Sequence, residues 1–203
     1  DLGTIRHAPS PDNPEIRDNI LNVTFAEGFQ YDLSQLKRHH YTSGGGGVTA
    51  NAMIQTFASR VEPIDGQVKV PIPTMYDLAA GLRRARTHAD RMGGLNAAAL
   101  FDRRGTLRMF REDVGRHNAV DKCFGAMLLQ SVESLADDIL LISGRASYEI
   151  IRKAIMARIP MVGCSSTPSS MAVDLARQFG VTIIVFADSG EMNVYTHPER
   201  IEV

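Results

Sequence analysis

The stretch from Ile139 to Ala187 constrains this chain more than any other part of it. Three short apolar runs stand there: Ile139-Leu140-Leu141-Ile142, Met161-Val162-Gly163-Cys164 and Val181 to Ala187. Two segments with helical spacing separate them, Ser147 to Arg158 and Ser169 to Phe179. Strands this continuously apolar are buried on both faces, and strands joined through helices pair in parallel. Right-handed crossovers then lay the helices over the sheet. The region is an α/β domain. A parallel sheet also gathers its strand-to-helix turns on one edge, and ligands of open α/β sheets collect at that edge.

The rest of the chain fits around this core. Thr74 followed by Asp77 has the spacing of a capping box, and Leu78, Leu82, Ala85, Ala89 and Met92 recur at helical spacing behind it. Arg83, Arg84 and Arg86 fall among the polar positions of that helix, which Gly93-Gly94 would stop. Ala97 to Phe101 and Leu107 to Phe110 read as a β-hairpin, and Asn118 to Gln130 as a helix with an Ala119, Phe124, Met127, Leu128 stripe. Near the start, Ile20 to Phe25 reads as a strand behind a polar, extended lead-in from Asp1 to Asp18. Gly44 to Gly47 are four glycines in a row, which suits either a flexible loop or a backbone that must approach something closely. The chain opens on Asp1 without a methionine, as a fragment would. Residues 1–48 are therefore expected to be a lead-in and the end of a partly missing N-terminal portion, and residues 49–203 the α/β domain.

Composition removes several function classes. With 22 Lys+Arg against 23 Asp+Glu the net charge is −1, which argues against a nucleic-acid footprint. No apolar run reaches the length of a membrane span, so a soluble, cytoplasmic protein is expected. Two cysteines, Cys123 and Cys164, leave no disulfide framework and no cysteine zinc site. The phosphate-loop, dinucleotide-fold and hydrolase-elbow glycine motifs are absent, as are the zinc-deaminase ligands. Cys164 at a strand end suits either an inert core position or a nucleophile; Cys123, within a helix, suits the core.

The candidate site is read from the strand ends. Ser143-Gly144-Arg145-Ala146-Ser147 combines a close-approach glycine, two hydroxyls, a helix start and an arginine fork for phosphate or carboxylate. Cys164 to Ser170 and Phe186-Ala187-Asp188-Ser189-Gly190-Glu191 form the other two ends. Each alone is an ordinary turn with a helix cap; three on one edge suggest a shared polar pocket. The densest polar cluster runs from Arg111 to Lys122. Asn118 and Asp121 suit a helix cap, while Arg116 and His117 before a helix suit an anion, and Asp113 could orient the imidazole or take a ribose or base edge.

Three segments carry a resemblance. Glu112-Asp113-Val114-Gly115-Arg116-His117-Asn118-Ala119-Val120-Asp121-Lys122, Ser143-Gly144-Arg145-Ala146-Ser147-Tyr148-Glu149 and Asn193-Val194-Tyr195-Thr196-His197-Pro198-Glu199-Arg200 resemble the formate dehydrogenase accessory sulfurtransferase family, FdhD. The likeness is strongest from about Gly93 to Val203 and continues loosely back through Pro71-Ile72-Pro73 to Thr42-Ser43. It implies a cytidine-deaminase-like layered α/β fold, with a mixed, mainly parallel sheet covered by helices. It implies maturation of formate dehydrogenase as the function, with sulfur passed from a cysteine desulfurase to Mo-bis(molybdopterin guanine dinucleotide). Cysteine desulfurase and formate dehydrogenase are the implied partners, and a homodimer the implied assembly. The cofactor would be held by its guanine-nucleotide ends, through the segment Phe186 to Glu191 together with Arg116, His117, Asn118, Ser143, Gly144 and Arg145. The family's Cys-x-x-Cys follows a Thr-Ser lead-in, and here Thr42-Ser43 is followed by Gly44 to Gly47, so neither thiol is present. Asn96 stands where the family has a histidine, and Asp188 and Glu191 where it often has arginines. The alternative implied by the missing thiols is a non-catalytic cofactor-binding or delivery protein.

Overall fold

The computed structural model describes residues 2–7, 20–30, 54–55, 57–59, 61–65, 68–86, 93–187 and 190–203. Gly44 to Gly47, Ala89, Met92, Asp188 and Ser189 lie outside the described residues. The chain divides into two compact units, Asp1–Gly44 and Gly45–Val203.

In the first unit, β1 (Leu2–His7) pairs antiparallel with β2 (Leu21–Phe25). The β-branched content of Leu21–Phe25 announces β2, whereas β1 falls in the segment that reads only as an extended lead-in. Thr4 and Thr24 join the two, their hydroxyl oxygens 2.9 Å apart, and Thr4 N–H donates to Thr24 Oγ1 at 2.8 Å.

The second unit is built on a six-stranded sheet in the order β5-β4-β6-β7-β8-β9. Its members are β4 (Asn96–Asp102), β5 (Leu107–Asp113), β6 (Asp138–Arg145), β7 (Met161–Ser166), β8 (Thr182–Phe186) and β9 (Met192–Val194). β6, β7 and β8 are parallel, with Ile142 level with Cys164 and Cys164 level with Val185. The hairpin β4–β5 adds antiparallel strands on one side and β9 another on the far side, so the sheet is mixed around a parallel centre. β9 has no apolar run of its own to announce it.

Helices cover both faces because the central strands are apolar on both. Ala98, Leu100, Leu140, Ile142, Val162 and Ile183 face α2 (Arg116–Leu129), α3 (Tyr148–Met156) and α4 (Ser170–Phe179). Ala97, Ala99, Ile139, Leu141, Met161 and Ile184 face α1 (Ile72–Ala85) through Met75, Leu78 and Leu82. Alternate residues of each strand thus enter different cores, as the two-residue repeat of a strand requires.

Helix boundaries depart from the local signals in instructive ways. The Thr74/Asp77 spacing is not a capping box: the cap position is Pro71, three residues before Thr74, and α1 has no side-chain cap. Its start is set from far away, by β3 (Val70–Pro71) pairing in parallel with β10 (Ile201–Glu202) at the chain's end. Asn118 likewise does not cap α2, whose cap residue is Gly115. α4 does keep its signal, since Ser169 Oγ accepts from Ala172 N–H at 3.2 Å. It ends on Gly180 at φ 73°, where any side chain would also strike the carbonyl oxygen of Ile64.

The segment Asn193 to Arg200, one of the three that carry the resemblance, does structural work. Thr196 Oγ1 accepts from Ile183 N–H at 2.8 Å and donates to Val181 O at 2.7 Å. Thr182 Oγ1 donates to His197 O at 3.0 Å and accepts from Arg200 Nη1 at 3.1 Å. These bonds hold the chain beyond β9 against β8 and lead it into β10, beside the start of α1.

Gly163 in the centre of β7 has a packing reason. A methyl group there would stand 2.7 Å from Phe186 Cε2 and 3.1 Å from Leu141 Cγ. Gly163→Ala is expected to lower stability by about 1–3 kcal/mol, the usual cost of overpacking a filled core, and to displace the Phe186 ring. Urea unfolding of the variant measures the first, and near-ultraviolet circular dichroism the second.

Candidate functional site

The parallel strands deliver three strand ends to one edge of the sheet, at Ser143–Ser147, Ser165–Ser169 and beyond Phe186. The antiparallel hairpin brings Asn96 and Asp113 to the same edge, because β4 starts there and β5 ends there. The β6–β7 register shifts between Ile142 and Arg145, so the ladder opens at Ser143 and Gly144. There Ser165 Oγ donates to Ser143 O at 2.6 Å, and Ser143 Oγ accepts from Ala97 N–H at 2.8 Å. Side chains take over from the ladder where the strands part.

The sheet divides this edge into two faces. On the three-helix face, Gly144 borders Arg116: a methyl group on Gly144 would lie 3.4 Å from Asn96 Oδ1 and 4.0 Å from Arg116 Cδ. Asn96 Nδ2 donates to Val114 O at 2.8 Å, holding the turn that leads into α2. His117 Nε2 lies 3.2 Å from Ser147 Oγ, so the hydroxyl at the head of α3 turns toward the imidazole and makes no cap bond to its own helix. Glu149 is the next polar group along. Burial opposes its charge, yet its own backbone N–H, the Ser147 hydroxyl and the neighbouring His117 and Arg152 hold its carboxyl below the ordinary value.

On the α1 face, a cavity of about 190 Å³ opens beneath the end of that helix. Ser143, Ser165, Cys164, Phe186 and Ala187 line it from the strand ends, and Arg83 and Arg86 from α1. The expected site residues are therefore not gathered around one point. Ser143, Phe186 and Ala187 share the cavity; Arg116, His117 and Gly144 meet on the other face. Arg145 is exposed at the end of β6. Glu191 O accepts from Ala187 N–H at 2.9 Å and Gly190 N–H donates to Ala187 O at 3.1 Å, just before β9. Arg83 and Arg86 carry no site signal in the sequence, where they look like a solvated face or a charge match for the negative end of α1.

Two acidic residues are structural. Asp113 Oδ1 accepts from Gly115 N–H at 2.8 Å and from Asn118 Nδ2 at 3.2 Å, and its Oδ2 pairs with Lys122 Nζ at 2.5 Å. It closes the β5–α2 turn and does not reach His117. Lys122, seconded by the Gly115 N–H, holds its carboxyl at about 2. Asp121 pairs with Lys153 at 2.6 Å and fastens α2 to α3.

Both thiols are enclosed. Cys123 donates to Ala98 O at 3.3 Å, and burial pushes it up to about 12. Cys164 donates to Ser166 O at 3.3 Å, and burial outweighs its hydrogen bonds to raise it as well. A raised thiol is a poor nucleophile, because the thiolate is the reactive form.

The Asp113 arrangement has a definite pH signature. A carboxyl depressed from its usual 3.8 to about 2 stabilises the fold fully above 3.8, and that contribution is lost as pH falls toward 2. Asp113→Asn is expected to melt below the wild type at pH 7, with the gap closing between about pH 4 and pH 2. Melting temperatures of both proteins across that window check it.

Comparisons with known proteins agree with this architecture. The family model described as FdhD/NarQ matches residues 3–202. "Sulfur carrier protein FdhD" of Mycolicibacterium paratuberculosis is 42% identical over 185 residues, covering 90% of this chain and 68% of that protein. The protein of the same name from Anaeromyxobacter dehalogenans is 38% identical over 213 residues, covering 99% and 73%. Among solved structures, a chain described as a formate dehydrogenase accessory protein from Desulfotalea psychrophila superposes with a TM-score of 0.65 at 25% identity, covering 73% of this chain and 62% of that one. This chain thus spans roughly two thirds of the relatives' length. It belongs to the FdhD/NarQ family.

Proposed function

We propose that this chain serves the maturation of formate dehydrogenase by holding the guanine-nucleotide ends of Mo-bis(molybdopterin guanine dinucleotide) at the carboxyl edge of its parallel strands. The observation that carries the reading is the convergence of three strand ends and the starts of α2 and α3 on one edge that bears Arg116, His117, Ser143, Gly144 and Ser147. The start of α2 has no side-chain cap bond, which leaves first-turn N–H groups there for an oxyanion, whereas at the start of α3 the Glu149 carboxylate takes its own N–H. Phe186 at the cavity wall offers a ring for a base to lie against. Partnership with formate dehydrogenase, a homodimeric assembly and a cytoplasmic setting belong to the same reading. Among the described residues, no helix is long and apolar enough to cross a membrane.

The relatives' name, sulfur carrier protein, supports a second reading, in which sulfur from a cysteine desulfurase passes through the chain to the cofactor. A persulfide relay needs an accessible thiolate. The whole sequence holds two cysteines, and both are buried with raised thiols. The chemistry of these residues favours binding and delivery over relay.

Two measurements test this. GDP at a hundred times its dissociation constant is expected to stabilise the fold by about 2.7 kcal/mol, seen as a raised melting temperature, with ADP giving less. No shift with millimolar GDP would count against the site. After incubation with a cysteine desulfurase and free cysteine, this chain is expected to carry no persulfide by thiol-selective labelling and intact mass. A persulfide on either cysteine would replace the binding reading with the relay.

A further inference from the structure

Among the described residues, the cavity under α1 is lined by two guanidinium groups and no carboxylate. Arg86 is its most informative residue. The Nε of Arg86 is buried and has no hydrogen-bond partner. Its Nη2 makes one long contact, 3.4 Å to Leu95 O. Among the described residues no ion pair involves Arg86 or Arg83. A buried donor nitrogen left unpaired is costly, and native folds rarely keep one without a use. The rest of the Arg86 side chain is half-exposed and Arg83 is exposed, and both residues line the cavity, where an incoming acceptor can meet them.

The surroundings say what kind of acceptor fits. Ser143 Oγ accepts from Ala97 N–H, which leaves its own proton to donate toward the cavity. Opposite, Leu141 and Phe186 make an apolar wall, and the missing side chain at Gly163 lets the Phe186 ring seat there. A volume of 190 Å³ equals roughly six waters at their liquid share. That is room for one phosphate and a ring-sized neighbour, and too little for a whole dinucleotide. Two guanidinium groups suit the spread charge of a phosphate dianion, since the planar fork binds two oxygens at once.

We propose that Arg86, seconded by Arg83, anchors a phosphate group in this cavity, so that a phosphate-bearing ligand enters with that group against the end of α1 and its remainder toward Phe186. This adds an anion contact on the opposite face of the sheet from Arg116 and His117, at the end of a helix whose sequence carries no binding motif. The phosphate contact stands independently of the nucleotide reading of the site; only the identity of the group attached to the phosphate rests on that reading.

Calorimetric titration of the full chain with GDP, guanosine and inorganic pyrophosphate tests it, using wild type, Arg86→Met and Arg86→Lys. Wild type is expected to prefer GDP over guanosine by at least about tenfold, the value of one hydrogen-bonded charge contact. Arg86→Met should lose most of that preference and its pyrophosphate binding, with guanosine affinity unchanged; Arg86→Lys, which keeps charge without the fork, should fall between. Without ligand, Arg86→Met should melt no lower than wild type, because it removes an unpaired donor. If GDP binds no better than pyrophosphate and both depend on Arg86, the phosphate anchor stands and the guanine reading falls. An unchanged GDP-to-guanosine ratio in Arg86→Met overturns the anchor. So does a wild type that binds neither GDP nor pyrophosphate at millimolar concentration, or an Arg86→Met that melts lower yet binds as wild type.

Discussion

The parallel ladder of β6, β7 and β8 is the constraint on which the rest of this structure depends. Its register, Ile142 beside Cys164 beside Val185, ends the three strands at one level. Parallel strands need crossovers, and crossovers send every turn from strand to helix to the same edge. Nearly everything with chemical potential in the described residues then lies at that edge, although its members come from positions as distant as Arg86 and Ala187. The hairpin β4–β5 adds Asn96 and Asp113 to it only because it joins antiparallel, which reverses its ends.

The edge has two faces with different physics. On the three-helix face, hydrogen bonds are largely satisfied within the chain: Asp113 closes a turn, His117 meets Ser147, and Asn96 ties down Val114. On the α1 face, two arginines stand without a counter-charge among the described residues. A helix end that exposes carbonyl oxygens favours cations nearby, so α1 tolerates them there. Their position is fixed remotely, since α1 begins where β3 meets β10, and the Thr196 and Thr182 bonds lead the chain to that meeting. Tail, helix and cavity form one mechanical unit.

The central strands were legible because burial on both faces writes a continuous apolar run into the sequence, and α3 and α4 because each alternates with such a run. The start of α1 was not, since it depends on a pairing between Val70 and Ile201 that no local window contains. Asp113 and Asp121 look like ligand or cap residues in sequence. Their partners, Lys122 one helix turn or more away and Lys153 on another helix, are set by tertiary packing. Ser143, Phe186 and Ala187 could be placed at the site because strand ends are readable. Arg86 could not, because an arginine just beyond the end of a helix has the same sequence signature whether it faces solvent or a cavity.

The central claim is that ligand binds at the carboxyl edge of the parallel strands. Hydrogen–deuterium exchange with and without GDP tests it most directly. The account predicts added protection at Ser143 to Ser147, Gly163 to Ser166, Phe186 and Ala187, the start of α2 at Arg116 to Asn118, and the last turn of α1, with the opposite ends of the strands unchanged. Protection that avoids these segments, or no change anywhere at saturating GDP, would contradict it.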